Sequence, residues 1–575
     1  MTRFGLLTAP LLFFIASAAT PGWIARSNQN SQIVLDVSAR FSPEGAAALG
    51  QNGYDDKIVD LAPRREEREM EAYRAVMKEL KARLVAETDP QVRQDLEITI
   101  HSNDLTVRGI ELDRKYHFAY INVSRLIFGG IHALLEDRIA ESRRSAAVVR
   151  LRRYAGLEEG YTPVTVLAER MTRERLQTPG LTGPPRLEVE KDLENSSYFI
   201  DGIGQLFEKY KLTGYQDAYA ALKKQLAAYN DFIRAEVLPR SRTDFRLPPE
   251  EYALNLQQIG VDIPPDQLAA MAHVAFKEIQ REMENVAVNV AVERNLPSAD
   301  YRDVIRALKK EQLGGDQILD HYRQRIGEIE AIVRREHLLT LPDRPARMRL
   351  ASAAESAQQP APHMSPPRLL GNTGESGEFV LPLINPAAKG ERTDDFTFAA
   401  ASWTLTSHEA RPGHELQFSR MIESGVSTAR AVFAFNSTDV EGWGLYSEWM
   451  MYPYMPPEGQ LISLQHRLLR AARAFLDPEL QAGKVTPADA KRLLMEDGVF
   501  SDAMATEEVD RYTIRAPGQA TSYFYGFTQL LALRHDMEKK LGSRFNAQQF
   551  HDFILTQGLL PPPLLRKAVM DHFAE

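Results

Sequence analysis

The sequence predicts a mainly α-helical fold, a large multi-helix body with a deep cleft and one small edge strand or hairpin. Three observations point there. Residues 64–340 run through apolar-periodic stretches at helical spacing, punctuated by proline pairs rather than by turn-and-strand signals. The 575 residues, 44% hydrophobic and 26% charged, have the composition of a globular chain long enough for several domains or one large body. Only one segment, near residue 380, has the apolar and aromatic density of a strand.

Taken in order, Thr2 and Arg3 lead into an apolar run over residues 4–19 that ends in Ala16, Ser17, Ala18 and Ala19. This is the pattern of a secretory signal peptide over residues 1–19. A signal anchor is the competing reading, but the run is shorter than the roughly 20 residues that span a bilayer. Export usually goes with disulfides, yet the chain has no cysteine, so stability is left to the core. Without an N-terminal cysteine to lipidate, the processed protein is expected to be free, with no stable membrane anchor. The formal charge of −9 offers no basic surplus for nucleic acid or anionic lipid.

Residues 20–62 read as irregular, with residues 33–37 extended as a covering segment. The alternating charges of residues 64–69 suit a solvated helix face. Helix breaks are expected at Thr162-Pro163, Pro179-Gly180, Pro184-Pro185, Pro248-Pro249, Pro264-Pro265 and Pro297. At Pro264-Pro265-Asp266, proline and an acid stand where a first turn favours them, opening a run through Leu268, Met271, Val274, Phe276 and Ile279. Gly129 and Gly130 interrupt an apolar run and are read as a close helix contact. These stretches make up an N-terminal helical half, residues 20–340. Composition then shifts to Pro, Ala, Ser and Gln over residues 341–366, an exposed loop. Residues 377–384 follow as the strand candidate, which Pro382 confines to a sheet edge. Residues 341–393 are thus a loop with an edge strand or hairpin; such an edge could pair with an extended substrate, or be plain surface. Residues 394–575 form a C-terminal helical half.

That half carries two words of catalytic chemistry, H-E-A-R-P-G-H at 408–414 and E-G-W-G-L-Y-S-E at 441–448. Two imidazoles and a carboxylate, His408, His414 and Glu441, are the protein ligands a catalytic zinc takes, with one position left for water. Glu409 is then the candidate general base. The histidines are six residues apart, which on a regular helix leaves them about 120° out of line. Pro412 and Gly413 must kink or bulge the chain for both to reach one ion. The alternative is a helix that ends at Pro412, with His414 as an ordinary cap or core residue. Thr406 or Ser407 either caps the helix or lies inside it. Glu448, seven residues after Glu441, returns to nearly the same face and could orient a histidine N–H. His551 and Asp552 have ligand chemistry without a partner word; His101, His117, His132, His273 and His466 are left as structural. The chain has no cysteine, G-x-S-x-G elbow or P-loop.

Together with E-V-D-R-Y at 508–512, A-P-G-Q-A-T-S-Y at 516–523, F-H-D-F at 550–553 and Q-G-L-L-P at 557–561, these words resemble, in the same order, those of the domain of unknown function 885 family (DUF885). The resemblance implies a bacterial protein, and with the signal segment a periplasmic or secreted one. It also implies a helical fold related to gluzincin metallopeptidases of the oligopeptidase and carboxypeptidase type. Arg411 and Glu415 depart from the family's pattern, which bears on local substrate preference. Within the later blocks, Tyr523 suits donation to an oxyanion and Arg511 suits a substrate's terminal carboxylate, with Tyr512 and Gln519 as further substrate contacts. The expected function is an exported zinc-dependent peptidase holding one Zn2+ and acting on peptides. Two alternatives are a metal hydrolase of non-peptide amides or esters, and a non-catalytic helical binding protein whose site has decayed.

Overall fold

A computed structural model describes residues 21–118, 120–383 and 394–574. The expected signal peptide and the last residue of the strand candidate, Ile384, lie outside the described residues. The protein is mainly α-helical. Helices Val164–Leu176, Arg186–Lys209, Pro249–Ile259 and Pro265–Glu293 start directly after Pro163, Pro185, Pro248 and Pro264. Proline's fixed φ and missing N–H suit it to these positions. Along Pro265–Glu293 the buried stripe is Leu268, Ala272, Phe276, Ile279, Met283, Ala287 and Val290. Met271 and Val274 of the expected run face outward.

The N-terminal reading is corrected. Residues 20–62 are not irregular: Gly22–Phe41 and Pro43–Leu49 are helices, and residues 33–37 lie inside the first. Ile24, Ser27, Ser31, Val34 and Leu35 repeat at three- and four-residue intervals and are buried, so helical periodicity overrides the β-branched run. The glycine reading is half right. A Cβ on Gly130 would lie 2.3 Å from the Tyr154 hydroxyl, whereas one on Gly129 would meet open space.

Two apolar clusters carry most of the mass. One is built from residues 61–237 with Ala354, and the other joins helices after residue 249 to the helices and strands up to residue 525. Packing therefore changes partners near residue 245, whereas composition changes near 340. A buried polar knot ties the first helix to the C-terminal region. Asp95 accepts from Ser27 Oγ at 2.5 Å, Ser427 Oγ at 2.5 Å and Arg430 Nε at 2.9 Å.

A three-stranded sheet lies beside the site: β1 (Arg347–Leu350), β2 (His363–Ser365) and β3 (Glu378–Leu381), in the order β1-β3-β2. β1 runs parallel to β3 with Arg347 opposite Glu378, and β2 runs antiparallel with His363 opposite Val380. Two expectations change. Residues 341–366 are not only loop, for they supply both outer strands and the helix Ala353–Gln358, started by a Ser352–Glu355 capping box. β3 is the central strand and wholly buried, and Pro382 comes just past its end, where it removes no ladder bond. The edge strands are β1 and β2.

Helices Ser437–Met451 and Ser522–Leu541 approach glycine to glycine. A Cβ on Gly526 would sit 2.0 Å from the Thr438 carbonyl oxygen, and one on Gly442 would sit 2.7 Å from the carbonyl carbon of Gly526. This contact brings Tyr523 alongside Glu441. Both the polar knot and the glycine contact can be tested through stability. Asp95→Ala leaves Arg430 buried without its carboxylate and is expected to cost about 3–5 kcal/mol. Gly526→Ala is expected to cost at least about 1–3 kcal/mol by overpacking. Urea-unfolding midpoints check both; unchanged midpoints would mean that the knot and the glycine contact do not hold the fold.

Candidate metal centre

Helix Ala401–Leu405 runs into a π-helical turn, Thr406–Ala410, after which Arg411 is extended with φ −127° and ψ 136°. The Arg411–Pro412 peptide is cis, Gly413 has φ −73° and ψ −137°, and helix resumes over His414–Ser424. The chain thus breaks between the two histidines, and their rings meet edge to face with centroids 4.7 Å apart. Gly413 is needed for closeness rather than for its φ, since a Cβ there would lie 1.9 Å from the His408 carbonyl oxygen. Trp443 Nε1 donates to the Pro412 carbonyl at 3.0 Å and pins the break. Arg411 and Glu415, the two departures from the family pattern, form a fully buried ion pair behind it at 2.8 Å. Arg411 also donates to Glu330 and, at 2.9 Å, to the Arg344 carbonyl. Thr406 and Ser407 are internal, and Ser407 Oγ donates to the Trp403 carbonyl at 2.7 Å.

Nε2 of His408 and Nε2 of His414 each lie 3.4 Å from Glu441 Oε2, and the three ligand-type atoms are within 4.8 Å of one another. A tetrahedral zinc with bonds of about 2.0–2.1 Å holds its donors roughly 3.3 Å apart, so this spacing fits an ion. Both imidazoles rest on the backbone at Gly444, where a Cβ would lie 2.6 Å from His408 Cε1 and 2.9 Å from His414 Cε1. His408 is oriented from behind, its Nδ1–H donating to Glu448 Oε1 at 2.7 Å. Glu448 also accepts from Thr404 Oγ1 and lies 3.7 Å from Arg470. Against the cost of burial, Arg470 and His408 hold its carboxyl down to about 2. Against the same cost, both imidazoles hold the Glu441 carboxyl well below its usual range. Burial favours neutral His408, yet Glu441 and Glu448 push it up to about 9, which registers how strongly the pocket favours positive charge. The donor set, its spacing and its orienting carboxylate fit a divalent ion.

Glu409 stands beside the trio, not in it: Oε1 is 4.0 Å from His408 Nε2. It lines a cavity of about 260 Å³ with His408, His414, Glu441, Arg511 and Tyr523. An adjoining cavity of about 360 Å³ shares Glu441, Arg511 and Tyr523 and adds Gln519. The Tyr523 ring lies 6.2 Å from that of His408 and nearly parallel to it, and burial and Glu441 raise its pKa, so its hydroxyl remains a donor. Arg511 Nη1 donates to Tyr523 Oη at 3.4 Å. Gln519 Nε2 donates to Ser437 Oγ at 3.0 Å.

Tyr512 lines neither cavity, contrary to its expected contact with substrate. It is fully buried and donates to Glu508 at 2.7 Å, because its position on the turn after residue 510 faces the core. His551 is also structural, with Nδ1–H donating to the Leu338 carbonyl at 2.7 Å and Nε2 accepting from Tyr446 at 2.8 Å. Asp552 accepts from Thr340. The cavity also takes His466, which the sequence reading left as structural, and Arg470 and Arg473, which it did not single out, all on helix Pro457–Gln481. Their spacing of four and then three residues puts them on one helix face, a signal visible only when a histidine is read with its basic neighbours.

The fold and the trio define a mainly helical protein with a two-histidine, one-glutamate candidate metal centre. The chain belongs to the family described as "Bacterial protein of unknown function (DUF885)", whose model matches residues 43–569. Two solved structures share the fold. One is a "putative lipoprotein of unknown function" from Shewanella oneidensis, 19% identical, with a TM-score of 0.70 over 96% of this chain and 100% of that one. The other is a "putative lipoprotein" from Colwellia psychrerythraea, 18% identical, with a TM-score of 0.72 over 95% of this chain and 99% of that one. No curated protein matches the chain.

Metal retention tests the trio. Protein purified without added metal and analysed for its elements is expected to hold about one divalent ion per chain, lost in His408→Ala, His414→Ala and Glu441→Ala. Glu448→Gln is expected to weaken affinity about 10–100-fold. Stoichiometry unchanged in the three alanine variants would rule the trio out.

Proposed function

We propose that the protein is an exported zinc-dependent peptidase. The observation that carries this reading is the meeting, at one cavity, of the His408–His414–Glu441 trio, the free carboxylate of Glu409 and the hydroxyl of Tyr523. A divalent ion at this site would supply Lewis acidity and make a nearby water easier to deprotonate. His408, His414 and Glu441 would hold the ion, and Glu448 would keep the His408 ring in place. Glu409 accepts the proton released by the attacking water and returns it to the leaving amine. Tyr523 Oη donates to the oxygen that gains negative charge as the amide carbonyl is attacked, and Arg511 supports that hydroxyl.

Peptides are favoured over small amides and esters because β2 is an edge strand that lines the same cavity through His363 and Met364. The unpaired backbone groups of such an edge can hold an extended chain by strand addition. On this reading the adjoining cavities form the deep cleft between an N-terminal helical half and a metal-bearing C-terminal half. Export is supported by residues 1–19 and by the lipoprotein description of both structural relatives. No described helix is long and apolar enough to cross a membrane, and this sequence has no cysteine to carry a lipid.

Zinc-loaded protein incubated with mixed peptides, small amides and esters, with products read by mass spectrometry, is expected to cleave peptides and to stop on chelation. Turnover of esters alone would favour the non-peptide hydrolase. Glu409→Gln is expected to keep metal and fold while losing about 10²–10⁴-fold in turnover. Tyr523→Phe is expected to lower kcat and kcat/KM together by about 10²–10³-fold, as for a lost oxyanion donor. Near-normal rates in either variant remove that residue from the mechanism.

A further inference from the structure

One wall of the first cavity is cationic beyond what the metal trio requires. Helix Pro457–Gln481 projects His466, Arg470 and Arg473 into it, and Arg511 joins them from the turn Arg511–Arg515. The three side chains from the long helix are at least nine-tenths buried, at 2%, 6% and 4% exposure. Arg473 is forked onto Glu508 through Nε at 2.7 Å and Nη2 at 2.5 Å. Arg470 lies 3.7 Å from Glu448 and donates to His466 Nδ1 at 3.1 Å. These contacts leave Arg473 Nη1, Arg470 Nε and His466 Nε2 buried with no hydrogen-bond partner. Burial and Arg470 drive the His466 pKa down to about 3, so the ring is neutral. With Nδ1 accepting from Arg470, its proton sits on Nε2, which makes that atom another donor without an acceptor. Arg511 has no carboxylate at ion-pair distance among the described residues, and its hydrogen bond to Tyr523 is long, at 3.4 Å.

At ion-pair distance Arg470 has Glu448 and Arg473 has Glu508, while Glu507, which lines the second cavity with Arg511, is 3.7 Å from Arg515 instead. Buried donors without acceptors are costly unless something completes them. The metal cannot, being itself a cation. Glu409 and Glu441 face the same cavity, but Glu441 is committed to the two imidazoles. What fits is an anion with planar, two-pronged acceptors, the geometry to which guanidinium is matched.

We infer that this wall is a carboxylate-binding subsite, and that the substrates are peptides carrying a carboxylate close to the scissile bond, held by Arg511 with Arg473 and His466. The inference rests on the peptidase reading for its substrate class but on the arginine wall for its charge preference. The carboxylate comes either from the peptide's C-terminus or from an acidic side chain, and the two sources call for separate probes.

The test is calorimetric titration of zinc-loaded, full-length Glu409→Gln protein, so that binding is read without turnover. One probe pair is N-acetyl-Ala-Ala with a free carboxyl against its C-terminal amide. The other is N-acetyl-Ala-Asp-amide against N-acetyl-Ala-Asn-amide. In at least one pair the acid is expected to bind about tenfold or more tighter than its neutral counterpart. The first pair identifies a terminal carboxylate, the second an acidic side chain. Arg511→Gln is expected to abolish the preference, and Arg511→Lys, which keeps the charge but not the fork, to reduce it; thermal unfolding checks that both variants fold. Equal binding within both pairs overturns the inference. So does a preference unchanged in the folded Arg511 variants, since the ion alone would then hold the carboxylate. The two readings fail separately: intact preference with no cleavage of any peptide removes the peptidase reading, and cleavage blind to charge removes this one.

Discussion

The site depends on where the backbone breaks between His408 and His414. An unbroken helix would hold the two imidazoles about 120° apart and no single ion could reach both. The break is enforced from several sides. The π-helical turn Thr406–Ala410 shifts the last helical residues, Gly413 crosses within contact of the His408 carbonyl, and Trp443 takes the carbonyl that Pro412 leaves exposed. The Arg411–Glu415 pair clamps the far side. The second word serves the same centre residue by residue. Glu441 completes the trio, Gly442 admits Gly526, Trp443 pins the break, Gly444 floors both imidazoles and Glu448 fixes the ring of His408.

Much of this was legible in the sequence because it depends on local rules. Proline pairs marked helix starts since proline costs nothing where no N–H partner exists. The six-residue histidine spacing demanded a kink or bulge at Pro412-Gly413, and the chain is non-helical there, between the end of one helix at Ala410 and the start of the next at His414. What was not legible depends on tertiary partners. The β-branched cluster at residues 33–37 looks extended until Ile24, Ser27 and Ser31 are seen to share its face. The strand at residues 378–381 looks like an edge because of Pro382, yet two short strands hidden in a proline-rich stretch flank it. Tyr512 and Tyr523 both sit in the family's blocks, and only packing sends one to Glu508 and the other to the cavity.

The buried ion pairs behind the site are better understood as positioning devices than as sources of stability. Replacing a buried pair by well-packed apolar side chains is often neutral or stabilising, so the pairs Glu448–Arg470 and Glu508–Arg473 do not explain themselves by energy alone. Their geometry does. Glu448 orients the His408 imidazole while restraining Arg470, and Glu508 takes two N–H groups of Arg473 and the Tyr512 hydroxyl, leaving one guanidinium nitrogen over for the cavity. Arg473 in turn lies 4.4 Å over the Tyr523 ring. The trio, the Tyr523 hydroxyl and the arginine wall are thereby joined by one chain of contacts.

That connectedness contrasts with how the cavities are divided along the chain. Every residue lining the first cavity comes from position 359 onward, whereas the second also draws on Arg125 and on Glu188, Asp192 and Asn195 of helix Arg186–Lys209. A third cavity, of about 390 Å³, shares Glu188 and Ile514 with the second and continues away from the trio between Arg65, His117 and Glu251. The residues that would hold an ion must keep their geometry to fractions of an ångström, because ligand spacing decides whether a metal binds. The far walls need only shape and charge. The Gly442–Gly526 contact and the break at Pro412, which set the trio, lie wholly within the later part of the chain, whereas the outer walls at Arg125, Glu188, Asp192 and Asn195 come from the earlier part.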